Sequence, residues 1–363
     1  MTYQSNFHCN GLHVKTRTAF LMKQLIRDIP IKSIPELVAA MNQPKFRSKQ
    51  LQQWLCGKGA LEWDQMSNIP ASLRNKLADK FALSGLSIAE QQLSSDGTRK
   101  FLFMLRDEQT IESVIIPMDK HYTFCVSSQV GCAMGCSFCA TSRGGLVRNL
   151  TSAEIVEQVI HLQKHISDDK PKSWNIVFMG MGEPLDNWDN VAAAIETFVD
   201  EQGFDISPRR ITISTSGHIA GLKKMQRSEY GVGLTVSVNS CDDSVRKKLM
   251  PVPGRTPLPE ILDAAEEYSK RLFGGITIAY VLLAGINDSK SDARVLASLV
   301  RDSPFKVNLI PLNAINDKQK KPQEDQILQF QKALASYGVR SFIRSSSGED
   351  IDAACGQLRN KHK

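Results

Sequence analysis

Between residues 121 and 346, short β-rich runs alternate with helical stretches, and this alternation constrains the fold of the 363-residue chain more than any other feature. The runs are YTFCVSS (122–128), NIVFMG (175–180), RITIST (210–215), LTVSVN (234–239), ITIAYVLL (276–283) and VNLIPL (307–312). Between and after them, apolar residues recur at helical spacing in 153–166, 190–201, 219–226, 258–272, 293–300 and 325–338. Six strand-then-helix units predict an α/β protein with a parallel sheet and right-handed crossovers. Such units close into an open, partial (β/α)6 barrel or lie in a doubly wound sheet. A further run, VRSFIRSS (339–346), precedes a tail.

Upstream, KFLFMLR (100–106) and TIESVIIPM (110–118) predict a hairpin turning at Asp107 and Glu108. Residues 1–100 read as a small helical module, with helical spacing in 19–29, 34–41, 48–55 and 70–81 and breakers at Pro30, Pro44, Gly57, Gly59 and Pro70. The expected organisation is therefore a helical accessory domain over 1–100, a barrel over 101–345 and a flexible tail over 346–363.

A hydrophobic fraction of 42% and a charged fraction of 23% suit a soluble globular protein. The longest apolar runs, such as IAYVLLAGI (278–286), fall short of the ~20 residues of a membrane span. No secretory signal is evident, so a cytoplasmic location with no membrane association is expected. The net charge of +7 suits a polyanionic partner but does not by itself demand one. Lys45, Arg47 and Lys49 surround Phe46, with Trp54 further along. They suit either phosphate contact or an ordinary solvated helix end.

Eight cysteines in such a chain argue for metal or redox chemistry rather than a disulfide scaffold. Four lie close together: Cys125, then Cys132, Cys136 and Cys139 in a C-x3-C-x2-C spacing directly after the first β-rich run. Three thiolates can bind three irons of a [4Fe-4S] cube and leave the fourth open to a cosubstrate. A structural zinc ion would want four ligands, and neither His121 nor Cys125 stands at a familiar spacing for the fourth. Gly131 and Gly135 allow the loop to wrap closely, and Phe138 can shield it from water. At the second strand end stands MGMGEP (179–184), whose Gly182 and Glu183 suit a ligand approached by backbone. Ser214, Ser237, Val238, Asn239 and Asn313 stand at or after later strand ends, where a ligand would lie in a barrel.

At CVSSQVGCAMGCSFCAT (125–141), RNLTSAEIVEQV (148–159), MGMGEPLDN (179–187), RRITISTSG (209–217), NLIPLN (308–313) and GEDIDAACGQL (348–358), the chain resembles one family closely. These are the radical S-adenosylmethionine methyltransferases that act on an adenine of RNA, the RlmN/Cfr family. The resemblance implies a radical-SAM partial barrel, a [4Fe-4S] cluster on Cys132, Cys136 and Cys139, and S-adenosyl-L-methionine held by Gly182, Glu183, Ser214, Ser237, Val238, Asn239 and Asn313. It implies an adenine of 23S rRNA or tRNA as substrate, methylated at carbon 2, or at carbon 8 in the Cfr branch. It further implies that Cys355 carries the methyl group, that Cys125 resolves the adduct by a disulfide with Cys355, and that Glu112 accepts the ring proton. Taken alone, Glu112 would read as a solvated face residue. An electron donor such as flavodoxin or ferredoxin and a monomeric chain are also expected.

The chain departs from the family at Ser237-Val238-Asn239-Ser240-Cys241, where a Ser-Leu-His-Ala run is usual, and at Ser142-Arg143-Gly144-Gly145, which mark it as a diverged member. Cys9, Cys56 and Cys241 read as packing residues. Two further readings stay open here: a radical enzyme acting on a protein or small molecule, and a metal-stapled RNA-binding protein without catalysis.

Overall fold

The computed structural model describes residues 23–166, 173–252, 255–272 and 275–359. Cys9 and residues 19–22 of the first expected helix lie outside them. The rest of that expected helix is a two-residue strand β1 (Gln24–Leu25) and a 3-10 turn Ile26–Asp28. Pro30 disfavours helical geometry in the residue before it, and Arg27 is drawn into the protein instead of facing solvent. Helices α1 (Ile34–Ala40), α2 (Phe46–Leu55) and α3 (Ala71–Lys80) follow, and β2 (Phe81–Ala82) pairs with β1 in parallel. Ile26, Ile34, Val38, Leu51, Leu73 and Leu77 belong to a core of their own, separate from that of the barrel.

The helical unit stops well before residue 100. Strand β3 (Leu86–Leu93) starts the large sheet and pairs antiparallel with β4 (Arg99–Leu105), which pairs with β5 (Thr110–Pro117). Strand β5 in turn pairs antiparallel with β6 (Tyr122–Cys125), the first strand of the parallel region. The parallel strands are β6, β9 (Trp174–Phe178), β10 (Ile211–Thr215), β11 (Gly233–Ser237), β12 (Ile276–Leu282), β13 (Phe305–Pro311) and β14 (Ser341–Ile343). A small antiparallel pair, β7 (Gln129–Gly131) and β8 (Leu146–Asn149), brackets the cysteine loop.

The spatial order of the ten-stranded sheet is β14-β13-β12-β11-β10-β9-β6-β5-β4-β3. Each parallel strand lies beside its predecessor in the chain. A doubly wound sheet would reverse direction midway, so the winding is that of a partial barrel. The crossovers run through α4 (Ser152–Gln163), α5 (Trp188–Val199), α6 (Ile219–Gln226), α7 (Asp243–Leu249) with α8 (Leu258–Ser269), α9 (Lys290–Val300) and α10 (Glu324–Ser336). The Thr151–Glu154 capping box starts α4 by satisfying amides that a helix start leaves unpaired.

Register decides which side chains meet. Phe124 pairs with Ile176, Ile176 with Ile211, Val236 with Ile278 and Ile278 with Val307, an apolar face buried beneath the helices. Residues one step along point the other way. Lys100 opposes Val114, Val114 opposes Cys125, Cys125 opposes Val177 and Val177 opposes Thr212. Glu112 and Ser214 lie two residues along from members of this row, and Ser237 four along from Gly233, which opposes Thr212, so they share the face away from the crossover helices.

Candidate active site at the strand ends

The cysteine loop leaves β7 at Gly131, whose φ of +77° is open to glycine; a Cβ there would lie 2.0 Å from the Gly145 carbonyl oxygen. The Cys132 amide donates to that same carbonyl at 2.9 Å, closing the loop's base. Cys132 is buried, and Cys136 and Cys139 are half-buried. Burial pushes the Cys132 thiol up to about 12, helped by the charges of Glu183 and Cys139. Burial first, then Cys139 and Cys132, raises the Cys136 thiol as well. Mutually repelling, buried thiols hold negative charge poorly without a cation among them, and soft thiolates suit iron of a cluster. Among the described residues, no three His, Cys, Asp or Glu side chains close around a single-ion position. The fit to a cluster therefore rests on the donor chemistry and on the apolar shield of Phe138, Leu249, Met250 and Leu312 packed about Cys136.

The MGMGEP segment lies directly beside this loop. Gly182 has φ +105°, and a Cβ on it would sit 2.6 Å from Gln129 Cβ. Gln129 Oε1 accepts from the Glu183 amide at 2.8 Å, which ties the β9 end to β7. Glu183 is buried, and its Oε2 accepts from the Ser216 amide (2.8 Å) and hydroxyl (2.7 Å) while Oε1 accepts from the Leu185 amide. Burial pushes its carboxyl up; the Ser216 donors oppose that. Thus Ser216, two residues past Ser214, is the partner that holds this carboxylate. Ser214 and Ser237 are half-buried on the site face, and Val238 is buried.

Asn239 differs from the sequence expectation in use. Its φ of +60° turns the chain after β11, Oδ1 accepts from the Val281 amide at 2.8 Å, and Nδ2 donates to Met250 Sδ at 3.2 Å. The side chain is engaged in cross-linking β11 to β12 and to the cluster shield. Asn287, unnoticed in the sequence, completes this joint by donating to the carbonyls of Asn239 (2.6 Å) and Val281 (2.7 Å).

The tail, expected to be flexible, is docked along the site. Gly348 donates to Asp96, Asp350 accepts from Ser94 and Ser95, and the 3-10 turn Glu349–Ile351 follows. The Ala140 amide donates to the Gly356 carbonyl (2.7 Å) and Thr141 Oγ1 to the Leu358 carbonyl (2.6 Å). Asn313 Nδ2 donates to the Cys355 carbonyl at 3.1 Å, and its Oδ1 accepts from Ser346. These unions lie beyond the reach of sequence periodicity because they join segments far apart in the chain.

Cys355 thereby stands near both Cys139 and Cys125, close enough for their charges to act on one another. It keeps solvent exposure while protein walls surround its sulfur, and this surrounding raises its thiol. Cys125 is buried; burial first and Cys355 second hold it strongly in the thiol form. Both are free thiols here.

Glu112 is not on a solvated face. It is 4% exposed, with Lys100 Nζ 3.5 Å from Oε1. Burial pushes its carboxyl up, and Lys100 and the Arg359 amide oppose the rise. Lys100 escaped notice because, beside Arg99 at the start of β4, it reads as part of a charged strand end ahead of the apolar run Phe101–Leu105.

At the N-terminal unit, Lys45 and Lys49 are exposed, as is Phe46 at 54%. Arg47 lies 4.8 Å from the Phe46 ring centroid and donates to Gln50 and the Asn68 carbonyl. Lys58 stands 4.0 Å over the Trp54 ring, whose indole N–H donates to Asn68, so Trp54 is already covered.

Residues 126–295 match the family profile described as radical SAM superfamily, and residues 26–83 that described as ribosomal RNA large subunit methyltransferase N-terminal domain. The second match ends where the helical unit ends. A dual-specificity RNA methyltransferase RlmN of Campylobacter hominis is 41% identical over 355 residues, covering 94% of this chain and 98% of that protein. One from a Nitratiruptor species is 42% identical over 332 residues, covering 88% and 94%. The crystal structure of a radical SAM methyltransferase from Sphaerobacter thermophilus superposes with a TM-score of 0.89 at 37% identity, over 93% of this chain and 99% of that one.

Proposed function

Because this chain belongs to the RlmN family of radical S-adenosylmethionine RNA methyltransferases, we propose that it methylates carbon 2 of an adenine in 23S rRNA and in tRNA. Membership removes the non-enzymatic reading and the protein or small-molecule substrate that the sequence left open. When bound, a [4Fe-4S] cluster with S-adenosylmethionine supplies a transferable methyl group and, given one electron, a carbon radical able to remove hydrogen. Cys132, Cys136 and Cys139 hold the cluster. Gly182, Glu183, Ser214, Ser237, Val238, Asn239 and Asn313 line the cosubstrate's place, with Ser216 keeping the Glu183 carboxylate oriented.

Cys355 gives up its thiol proton and takes the methyl group on sulfur: the new S–C bond forms as the methyl's bond to the cosubstrate's sulfonium sulfur breaks, that bond's electron pair leaving with the thioether. Once that methyl loses a hydrogen atom, the S-bound methylene carbon bonds to the ring; the ring's C–H bond then breaks, its proton passing to a base and one electron returning to the redox system that supplied one electron to form the radical. Glu112, 3.5 Å from the Lys100 ammonium, is the proton's acceptor. The Cys125 thiolate attacks Cys355 Sγ: the S–S bond forms, the S–CH2 bond breaks, and its electron pair stays with the methylene, which takes a proton to become methyl. Burial holds Cys125 as a thiol until then, which guards against premature oxidation. A flavodoxin- or ferredoxin-type donor supplies electrons, and the protein works as a monomer. The N-terminal unit engages the RNA, with Lys45 and Lys49 flanking Phe46.

The observation that supports this reading is the docked tail, in which the carbonyls of Cys355, Gly356 and Leu358 are bonded by Asn313, Ala140 and Thr141 beside the cysteine loop. The Cys125→Ala protein is expected to stall with RNA attached through Cys355, giving a nuclease-sensitive, slower band on denaturing gels. Cys355→Ala is expected to give none, alone or combined. Normal turnover by Cys125→Ala would overturn the assignment. Mass spectrometry of modified adenosines, separating 2-methyl from 8-methyl product, tests the position.

A further inference from the structure

Lys100 joins two parts of the site that the reaction uses at different moments. Its ammonium lies 3.5 Å from Glu112 Oε1 and 3.4 Å from the carbonyl oxygen of Asp352, three residues before Cys355. The Lys100 side chain is 11% exposed and that of Glu112 6%, so water screens the pair weakly. Glu112 Oε2 is buried without a hydrogen bond. The Asp352 residue sits at φ +53°, a conformation that a non-glycine residue adopts only where its surroundings hold it. One buried carboxylate therefore anchors the near flank of the Cys355 segment, through Lys100.

We propose that Lys100 is a positioning residue that couples the protonation state of Glu112 to the docking of the Cys355 segment. While Glu112 is anionic, Lys100 is held against it, and the Asp352 carbonyl that Lys100 bonds keeps the segment down. Once Glu112 is neutral, its pull on the ammonium falls. The Asp352 carboxylate, which Glu112 repels, acts in the opposite sense. The coupling is reciprocal: a docked segment favours the anionic base, and a protonated base loosens the segment. In the reaction this orders events. Glu112 is ready as a base while Cys355 is over the substrate, and the proton it takes loosens the segment as Cys355 is due to be released. That ordering rests on the proposed role of Glu112 as base; the coupling itself does not.

The test is amide hydrogen exchange on the cluster-bound protein without cosubstrate or RNA, so that no chemistry enters. Glu112→Gln imitates the neutral acid. It and Lys100→Met are each expected to speed exchange of the 353–358 amides about tenfold, as the loss of one charge-assisted hydrogen bond implies. Exchange in α4 and β9 stays unchanged. The double variant loosens the segment no further than either single one, and Lys100→Arg, which keeps the charge, restores slow exchange. If Lys100→Met leaves Glu112 too unstable to fold, the double variant is its neutral counterpart, and comparison of Lys100→Arg with Glu112→Gln decides. Additive effects, unaltered exchange in Glu112→Gln, or Lys100→Arg behaving like Lys100→Met would each overturn the coupling. Failure of the base assignment is read separately, as normal methylation by Glu112→Gln.

Discussion

Arg27 and Glu157 form a buried ion pair across the junction between the N-terminal unit and helix α4, 3.5 Å apart with side chains 2% and 0% exposed. Arg27 also donates to the carbonyls of Leu55, Ala60 and Leu83, and Glu157 Oε2 accepts from Ser84 Oγ and the amides of Gly85 and Leu86. The pair thus fixes the accessory unit to the barrel by satisfying main-chain groups at the point where the chain crosses from one to the other.

Removing one partner strands the other. Glu157→Ala leaves a buried guanidinium uncompensated and the Gly85 and Leu86 amides without that acceptor, a loss of about 3–5 kcal/mol. Anaerobic urea denaturation is expected to show this as a fall in midpoint. A change below about 1 kcal/mol would mean that the junction is held by packing alone.

Acid should weaken the fold through His161. This residue is 6% exposed, and burial first, then Lys164 and His165, lowers its imidazole from 6.5 to about 4. The unfolded chain takes up the proton near pH 6.5 and the folded one only near pH 4, so stability is lost as pH falls through that window. Between pH 7 and pH 5.5 the loss from this group is about 1 kcal/mol. Denaturation midpoints of His161→Leu should be flatter over this range; an equal slope in both proteins would exclude His161 as the source.

The Gly182 backbone suits no other residue. At φ +105°, a Cβ would stand 2.6–2.8 Å from Gln129 atoms, so alanine must displace either the MGMGEP segment or the Gln129 side chain that holds the Glu183 amide. Such strain costs about 1–3 kcal/mol. Calorimetric titration with S-adenosylmethionine should show about tenfold weaker binding by Gly182→Ala, with iron content unchanged. Unaltered affinity would move the cosubstrate away from this loop.

Within the basic group of α2, the residues are not equivalent. Lys45 and Lys49 are exposed, whereas Arg47 is bonded to Gln50 and the Asn68 carbonyl. Replacing Lys45 and Lys49 by Gln is expected to weaken RNA binding and lower its salt slope by about 1–2. Arg47→Gln should instead act mainly on the thermal stability of the N-terminal unit. Salt slopes equal to that of the parent protein would return both lysines to the solvated surface.

The sequence alone determined what depends on local order. Alternating β-rich and helical runs specified the parallel strands and their crossovers, because burial between a sheet and its helices demands those periods. The C-x3-C-x2-C spacing put three thiols on one short loop, a set able to bind three irons of one cube. Strand β3 was hidden for a physical reason: it lies at the sheet edge with little of it buried, so no apolar alternation marks it, and the helical unit read as running on to residue 100. Only the tertiary structure decided the rest. Lys100, Glu112 and Asp352 meet because strand register turns two of them to one face and a tail more than two hundred residues away docks there. The tail's small, polar residues suggest flexibility, yet amides and side chains of the cluster loop, Asn313 and the 94–96 turn hold it down. Such contacts arise from chain closure over long separations, which neither propensity nor spacing encodes.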